Sequence, residues 1–378
     1  MAGAPPLPPQ DVQAQLGVHV DRYLGGGAFR SVYAAVIMAT GEEVAVACEA
    51  LSDEQQTESA VTQRIASVPP HPHVLGPPSS PNITLHLEAD GNMYTVLERM
   101  ERELFDVLEG GALIEEDARD YFVQAISGVR FMHQNGVGHR DIKLENMMLT
   151  PDGRLKLIDF GLAHIAPVPH TPDTPWSMMN SKTVGTRSYV APEVGGPFAY
   201  DVRLYDVWSL GCTLFALSAG FFIVDRAVPT DPRFQRMQQA QAAGESTVRA
   251  IFGLYNRPCY LSDSLVRLLD GMFAIDPARR FTTDDVIASE WMVEQYAPHL
   301  ALEQSYHTTW LAQPALPQGA VYRSLSGMSD DERPVWRSAG GAAASAVLGG
   351  ASDGISREAL PLKPPPVSRQ RAQLNIAH

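Results

Sequence analysis

The chain has 378 residues, enough for one large domain or two of medium size, and 45% of them are hydrophobic. A formal net charge of −14 argues against nonspecific nucleic-acid binding, because proteins of that class need a basic surface. The three cysteines have no paired spacing, which argues against both a disulfide framework and a cysteine-ligated zinc site.

Residues 1–17 are rich in proline and predict an extended, disordered leader, because proline disfavours helices and sheet ladders. The stretch lacks the basic start and apolar centre of a signal peptide. No apolar run in the chain approaches the ~20 residues of a membrane span. We therefore expect a soluble intracellular protein without a membrane span, in the cytoplasm or alternatively in the nucleus.

Residues 18–97 are mainly strand-like. Four segments (23–24, 32–37, 43–47 and 92–97) are rich in apolar and β-branched residues, and glycine turns separate several of them. One helix is predicted between the third and fourth segments. Ser52 can cap it, and Val61, Ile65 and Val68 follow at helical spacing.

From Leu104 onward the pattern is helical. Apolar stripes at helical spacing cover 116–133 and 265–273, and 207–217 is apolar almost all round, as expected for a fully buried helix. Residues 297–378 are rich in Ala, Gly, Ser and Pro and predict a largely disordered tail. Its segment 363–371 could dock an SH3- or WW-type partner in polyproline form, with a solvated linker as the alternative.

One short loop carries groups suited to phosphoryl transfer, which depends mainly on positioning and charge neutralisation. Asp141, Lys143 and Asn146 offer an acid, a cation and a carbonyl ligand, and Asp159 offers a second ligand for magnesium. A strand, a turn at 151–153 and a second strand would bring Asn146 and Asp159 face to face. Two ordinary solvated loops are the alternative.

Four motifs in order make the chain resemble the eukaryotic protein kinase family over about residues 23–291. They are His-Arg-Asp-Ile-Lys-Leu-Glu-Asn at 139–146, Asp-Phe-Gly at 159–161, Ala-Pro-Glu at 191–193 and Asp-Val-Trp-Ser-Leu-Gly at 206–211. The resemblance implies an α+β, bilobal kinase fold over 18–296. Its small β-rich N-lobe would span 18–97 and its large helical C-lobe 101–296.

The family also implies ATP and Mg²⁺ as cofactors, protein substrates, and roles for the loop residues. Asp141 would orient the substrate hydroxyl, Lys143 would neutralise the γ-phosphate, and Asn146 and Asp159 would bind magnesium. Lysine at position 143 is typical of serine/threonine kinases, which place a threonine such as Thr186 beside it.

Two further pairs follow from the resemblance. Arg140 is typical of kinases switched by activation-loop phosphorylation, for which Thr183 and Ser181 are candidates, with unmodified loop residues as the alternative. Glu103 and Glu145 match positions that contact substrate arginines in some kinases, so substrates with basic motifs are expected.

The nucleotide-binding half resembles the family less closely. Gly25 and Gly27 match the glycine-rich loop over the phosphates, whereas Arg30 replaces its third glycine. The resemblance assigns ATP contacts to Leu24, Gly25, Gly27, Arg30, Val32, Ala45, Glu98 and Met100. It places adenine at the backbone near Glu98 and Met100, with Leu97 as the gatekeeper.

The lysine that anchors the phosphates in this family is missing, because fifteen residues after Val32 the chain has Ala47. Its glutamate partner would be Glu58, about one turn earlier than usual. Side chains two apart on a strand share a face, so Arg30 should face the cleft with Val32. With-no-lysine kinases resemble this chain in carrying a basic residue there.

Two hypotheses follow from this substitution. One is an ATP-dependent serine/threonine kinase, a signalling transferase of weak activity in which Arg30 replaces the lysine. The other is a pseudokinase that scaffolds or regulates a partner. For Arg30 itself, the alternative is a solvent-facing residue on a flexible flap.

Overall fold

The computed structural model of the chain describes residues 5–26, 30–66, 68–78, 85–167 and 177–293, together with Pro364 and Val367. Gly27 and nearly all of the predicted tail lie outside these residues. Within them, no helix combines the length and the apolar character needed to cross a membrane.

The N-lobe is built on one five-stranded antiparallel sheet with the order β1-β2-β3-β5-β4. The strands are β1 (Val18–Gly26), β2 (Arg30–Ile37), β3 (Glu43–Ala50), β4 (His86–Ala89) and β5 (Asn92–Glu98). Helix α2 (Asp53–Ala66) connects β3 to β4. The predicted β-rich region is therefore present, with its helix between the third strand and the last two.

The leader differs from the expectation for residues 5–16. Helix α1 (Gln10–Leu16) forms there, and its Val12 and Leu16 are fully buried against the sheet. The two apolar residues are four apart and share one helix face, so their burial offsets the proline-rich context. The Tyr33 hydroxyl also donates to the Pro6 carbonyl at 2.9 Å. The interpretation as an extended leader was wrong here.

Helix α2 follows the sequence prediction closely. The Ser52 hydroxyl accepts from the Gln55 amide at 3.2 Å, as a helix cap does. Val61 and Ile65 are buried in the same core as the C-lobe residues. Val68 lies beyond the end of the helix. This packing fixes the face of α2 that is buried in the core shared with the C-lobe.

The C-lobe is mainly helical. Its helices are α3 (Glu115–Gln134), α4 (Val202–Ala219), α5 (Pro232–Ala242), α6 (Thr247–Leu254), α7 (Asp263–Met272) and α8 (Thr283–Ile287). Its short strands are β6 (Arg102–Glu103), β7 (Val137–Gly138), β8 (Met147–Leu149), β9 (Leu155–Leu157), β10 (His164–Ile165), β11 (Met179–Asn180) and β12 (Tyr200–Asp201). Three short 3₁₀ segments lie at Leu104–Gly110, Leu144–Asn146 and Pro277–Arg279. This is the predicted α+β, bilobal arrangement.

Helix α4 is the centre of the C-lobe, as its all-round apolar sequence predicts, and nearly every residue in it is buried. A buried ion pair braces the region beside it. The Arg280 guanidinium contacts both carboxylate oxygens of Glu193, at 2.5 and 2.8 Å. This contact joins the Ala-Pro-Glu motif at 191–193 to the last part of the lobe.

Candidate active site

The loop after β7 is anchored by the carboxylate of one residue of α4. Asp206 accepts from the backbone amides of His139 and Arg140, each at 2.8 Å. It is fully buried and also contacts His133 Nε2 at 2.8 Å. Two amides on one carboxylate fix the backbone of the loop, and Arg140 adopts a positive φ of 64°. Asp141 therefore projects from a rigid base.

Asp141, Lys143 and Thr186 form a closed hydrogen-bonded triangle. Lys143 Nζ donates to Asp141 Oδ2 at 2.6 Å and to the Thr186 hydroxyl at 3.0 Å, and that hydroxyl donates to Asp141 Oδ1 at 2.7 Å. Burial alone would lower the pKa of Lys143, but the Asp141 carboxylate outweighs it and raises that pKa. The lysine thus remains a cation beside the carboxylate.

The predicted strand–turn–strand brings Asn146 and Asp159 together. Strands β8 and β9 pair antiparallel, and just past them the Ile158 amide donates to the Asn146 carbonyl at 3.0 Å. Asp159, with φ of 63°, follows directly. Asn146 Nδ2 donates to the carbonyl and to Oδ2 of Asp141, both at 3.0 Å, which leaves its Oδ1 outside this contact.

These oxygen ligands fit Mg²⁺. This ion is usually held by one or two carboxylates plus substrate phosphates and waters, and not by an all-protein cage. The part of the chain that the structure describes contains no cluster of three His, Cys, Asp or Glu side chains able to hold a metal. Asp159 and the Asn146 amide oxygen match the smaller donor set.

The register of β2 and β3 determines which residues face the nucleotide side. Val32 lies opposite Ala47, Ala34 opposite Ala45, and Arg30 opposite Glu49, without a bulge. Directly opposite residues share a face, so Arg30, Val32, Ala45 and Ala47 lie on one side of the sheet. Ala47 is completely buried there. Leu24 and Gly25 lie on the adjoining β1, where Gly25 pairs with Val32.

Arg30 and Glu58 form an ion pair between the sheet and α2. Arg30 Nη1 lies 3.3 and 3.2 Å from the two carboxylate oxygens of Glu58. Burial opposes the charge of Arg30, yet Glu58, Glu49 and Asp159 together raise the pKa of Arg30. Burial raises the pKa of Glu58 to about 7, although Arg30 acts in the opposite direction. The cation and the carboxylate that the sequence predicted for this site therefore lie side by side. The charge of Asp159 raises the pKa of both.

A contact behind the hinge, the segment 98–100 between the two lobes, was not predicted from the sequence. Lys156 Nζ, on β9, lies 2.7 Å from Glu98 Oε1 at the end of β5, and its side chain is only 6% exposed. The sole sequence signal is a lysine within an apolar strand. A small cavity nearby is lined by Leu97, Glu58, Thr95 and Phe160. Met100, the other hinge residue, packs against the C-lobe core.

The two acidic residues predicted to contact basic substrates are neighbours. Burial raises the pKa of Glu145, with Asp141 and Glu103 adding to the rise and Lys143 opposing it. Glu145 Oε2 is buried without a hydrogen-bond partner among the described residues. A carboxylate in this state is suited to receive a cation from outside.

Comparison with known proteins agrees with this geometry. The family model described as protein kinase domain matches residues 18–292. The chain is 34% identical to putative CBL-interacting protein kinase 13 of Oryza sativa subsp. japonica, over 72% of this chain and 49% of that protein. It is 32% identical to CBL-interacting serine/threonine-protein kinase 12 of Arabidopsis thaliana, over 71% of this chain and 51% of that protein.

The similarity thus spans about half the length of these relatives. The match at 18–292 covers both lobes, the loop on Asp206 and the triangle at Asp141. The chain belongs to the protein kinase family.

Proposed function

We propose that the protein is an ATP-dependent serine/threonine protein kinase in which Arg30 replaces the missing lysine. The observation that carries this proposal is the Arg30–Glu58 ion pair, with contacts of 3.2 and 3.3 Å, in a site that keeps Asp141, Lys143, Asn146 and Asp159. An arginine presents forked donors that suit phosphate oxygens. Glu58 holds that fork in place, as a preorganised site requires.

Each remaining residue has a role in this proposal. Asp141, fixed by Thr186 and Asn146, orients the substrate hydroxyl toward the phosphoryl group. Lys143 neutralises the charge on the transferred group. Asn146 and Asp159 would hold Mg²⁺, which supplies charge neutralisation when bound.

A second group of residues would bind the adenine ring. Val32 and Ala45 supply an apolar surface on the sheet face, and Leu24 closes its edge on β1. The backbone near Glu98 and Met100 would hold the adenine edge, and the Lys156 contact at 2.7 Å positions Glu98. Serine/threonine specificity is supported by the Lys143–Thr186 contact at 3.0 Å.

Phosphotransfer to a generic basic peptide tests the proposal, with wild type compared with Asp141→Asn and Arg30→Ala. Wild type should be active, Asp141→Asn close to background, and Arg30→Ala strongly reduced. Equal inactivity of wild type and Asp141→Asn would rule out the enzyme.

The second candidate function is a pseudokinase that acts as a scaffold, which the fully buried Ala47 favours. Without a cation the phosphates would lose their anchor, and nucleotide would bind weakly. A thermal-shift assay with ATP and Mg²⁺ separates the two functions. A kinase should be stabilised by millimolar nucleotide, whereas an unchanged midpoint would favour the scaffold.

Substrates with basic motifs are part of the proposal. The support is the buried Oε2 of Glu145, which lacks a partner among the described residues, beside Glu103. An arginine before the phosphorylated residue should improve kcat/KM by about tenfold or more, as desolvated charge pairs do. Glu145→Gln should reduce that preference while leaving a neutral peptide unaffected.

Activation-loop phosphorylation completes the proposal. The Tyr200 hydroxyl donates to the Lys182 carbonyl at 2.6 Å. Burial raises the pKa of Tyr200, and the charge of the nearby Arg140 opposes that rise. Residues 181–183 therefore lie close to the arginine that would receive a phosphate. Phosphatase treatment should lower the activity of wild type but leave a Ser181→Ala/Thr183→Ala variant unchanged.

A further inference from the structure

The carbonyls at the C-terminal end of α4 are satisfied by three different segments of the chain. A helix leaves its last carbonyls without intrahelical partners. The carbonyl of Leu217 accepts from the Leu113 amide at 2.8 Å, and that of Ala219 accepts from the Tyr260 hydroxyl at 3.2 Å. Gly220 ends the helix with φ of 73°, and its carbonyl accepts from the amide of Val367 at 3.2 Å.

The contact with the tail also involves side chains. Val367 packs against the large core of the C-lobe, and Pro364 is buried. These residues are three apart, and a polyproline II helix has three residues per turn, so both would lie on one edge of such a helix. The sequence Pro364-Pro365-Pro366 favours that conformation. Contacts from residues three apart are those that such a helix would make through one edge, as in known proline-rich ligands.

We propose that the end of α4 is a binding site for a proline-rich peptide, and that the chain's own Pro-x-x-Val segment at 364–367 occupies it. Recognition rests on the Gly220 carbonyl and on apolar contacts with one peptide edge. Because the segment is covalently attached, its effective concentration at the site exceeds that of a separate peptide. The proposal does not depend on the catalytic activity.

The site adjoins the connection between the hinge and α3. A Cβ placed on Gly220 would lie 3.3 Å from that of Ala112, and the neighbouring Leu113 amide is bound to α4. The docked segment thus joins the tail to the part of the C-lobe that follows Glu103. Binding there tethers the tail to the kinase domain and keeps the segment from external proline-binding domains.

Hydrogen exchange on the full chain gives a direct test. Proline has no amide proton, so exchange within 364–367 reports Val367 alone. We expect this amide to exchange roughly tenfold or more slowly than in a free peptide, given a hydrogen bond reinforced by apolar contact. Pro364→Ser should remove the protection. Pro365→Ser is the matched control and should retain it, because a polyproline II helix would direct position 365 away from the edge of positions 364 and 367.

A labelled peptide of residues 361–371 tests the site from the other side. It should bind a full chain that carries Pro364→Ser and Val367→Asp at least about tenfold more tightly than wild type, whose site is occupied. A scrambled peptide should not bind. Free-peptide exchange at Val367, equal effects of the two proline variants, or peptide binding to neither chain would overturn the proposal. Capture of the wild-type tail by an SH3 or WW domain as readily as the variant's would also overturn it.

Discussion

The guanidinium of Arg30 lies 3.2 Å from the carboxylate of Glu58, across the gap between β2 and α2. Arg30 stands opposite Glu49, two residues beyond Ala47 toward the start of α2. A cation displaced in this direction meets a carboxylate that comes earlier in the helix. This direction agrees with the sequence expectation that Glu58 comes about one turn earlier in the helix than the usual partner.

Moving the cation between strands tests this relationship. Arg30→Ala should lower kcat/KM by about 10²–10³, the typical loss of one charge-stabilising donor. The double variant Arg30→Gly/Ala47→Lys should recover to within about tenfold of wild type, because one cation again faces one carboxylate. Peptide phosphorylation measures both. Arg22→Ala removes an exposed arginine of β1 and serves as the control.

The single variant Ala47→Lys sharpens the same test. It places a second cation near Arg30, in a fully buried position, where Glu58 is already paired with Arg30. We expect lower stability and no gain in rate. A large increase in activity would show that Arg30 does not act in the wild-type site.

Removing the Thr186 hydroxyl should impair catalysis more than nucleotide binding. Thr186→Val deletes the donor to Asp141 at 2.7 Å and the acceptor from Lys143 at 3.0 Å. We expect kcat to fall by about 10- to 100-fold, with little change in the KM for ATP, as for an interaction made mainly in the transition state. Thr186→Ser keeps the hydroxyl and should stay near wild type. Steady-state kinetics in which Thr186→Ser fails as badly as Thr186→Val would contradict this role.

Glu58 should make stability depend on pH. Its pKa rises from 4.5 to about 7 on folding, so between these values the folded state holds a proton that the unfolded state has lost. Stability from this group is thus fully present below pH 4.5 and is lost as the pH rises to about 7. The free energy of unfolding should fall relative to Glu58→Gln by up to about 3 kcal/mol over this range.

Denaturant unfolding of both proteins at several pH values measures the effect. Glu88→Gln, at an exposed position of β4, is the control and should run parallel to wild type. A constant difference between wild type and Glu58→Gln from pH 4.5 to 7 would contradict the pKa shift of Glu58.

The Arg280–Glu193 pair should be sensitive to a nominally conservative change. Arg280 is fully buried and also donates to the carbonyls of Ala274 and Leu204, both at 3.0 Å. Lysine cannot supply this fork, so Arg280→Lys should cost about 2–4 kcal/mol of unfolding free energy. The exposed Arg249, paired with Asp263, offers the comparison, and Arg249→Lys should cost less than about 0.5 kcal/mol. Similar losses in the two variants would exclude a special role for the buried pair.

The sequence alone determined the family, the α+β lobes and the groups around Asp141. These depend on short motifs whose residues are near neighbours, as in the loop 139–146 and the hairpin that carries Asp159. Local spacing was also enough to put Arg30 on the face of Val32, because strand periodicity is fixed by the backbone. The helical spacing of Val61 and Ile65 likewise predicted α2.

Tertiary structure decided what joins distant elements. Whether Glu58 reaches Arg30 depends on how α2 packs on the sheet, and no local propensity contains that information. Lys156 meets Glu98 only because β9 passes behind the hinge. Helix α1 forms because the sheet buries Val12 and Leu16. The Val367 amide donates to the Gly220 carbonyl, which is in place only at the end of a folded α4. These contacts arise from packing between segments far apart in the chain, so they exist only once the core has formed.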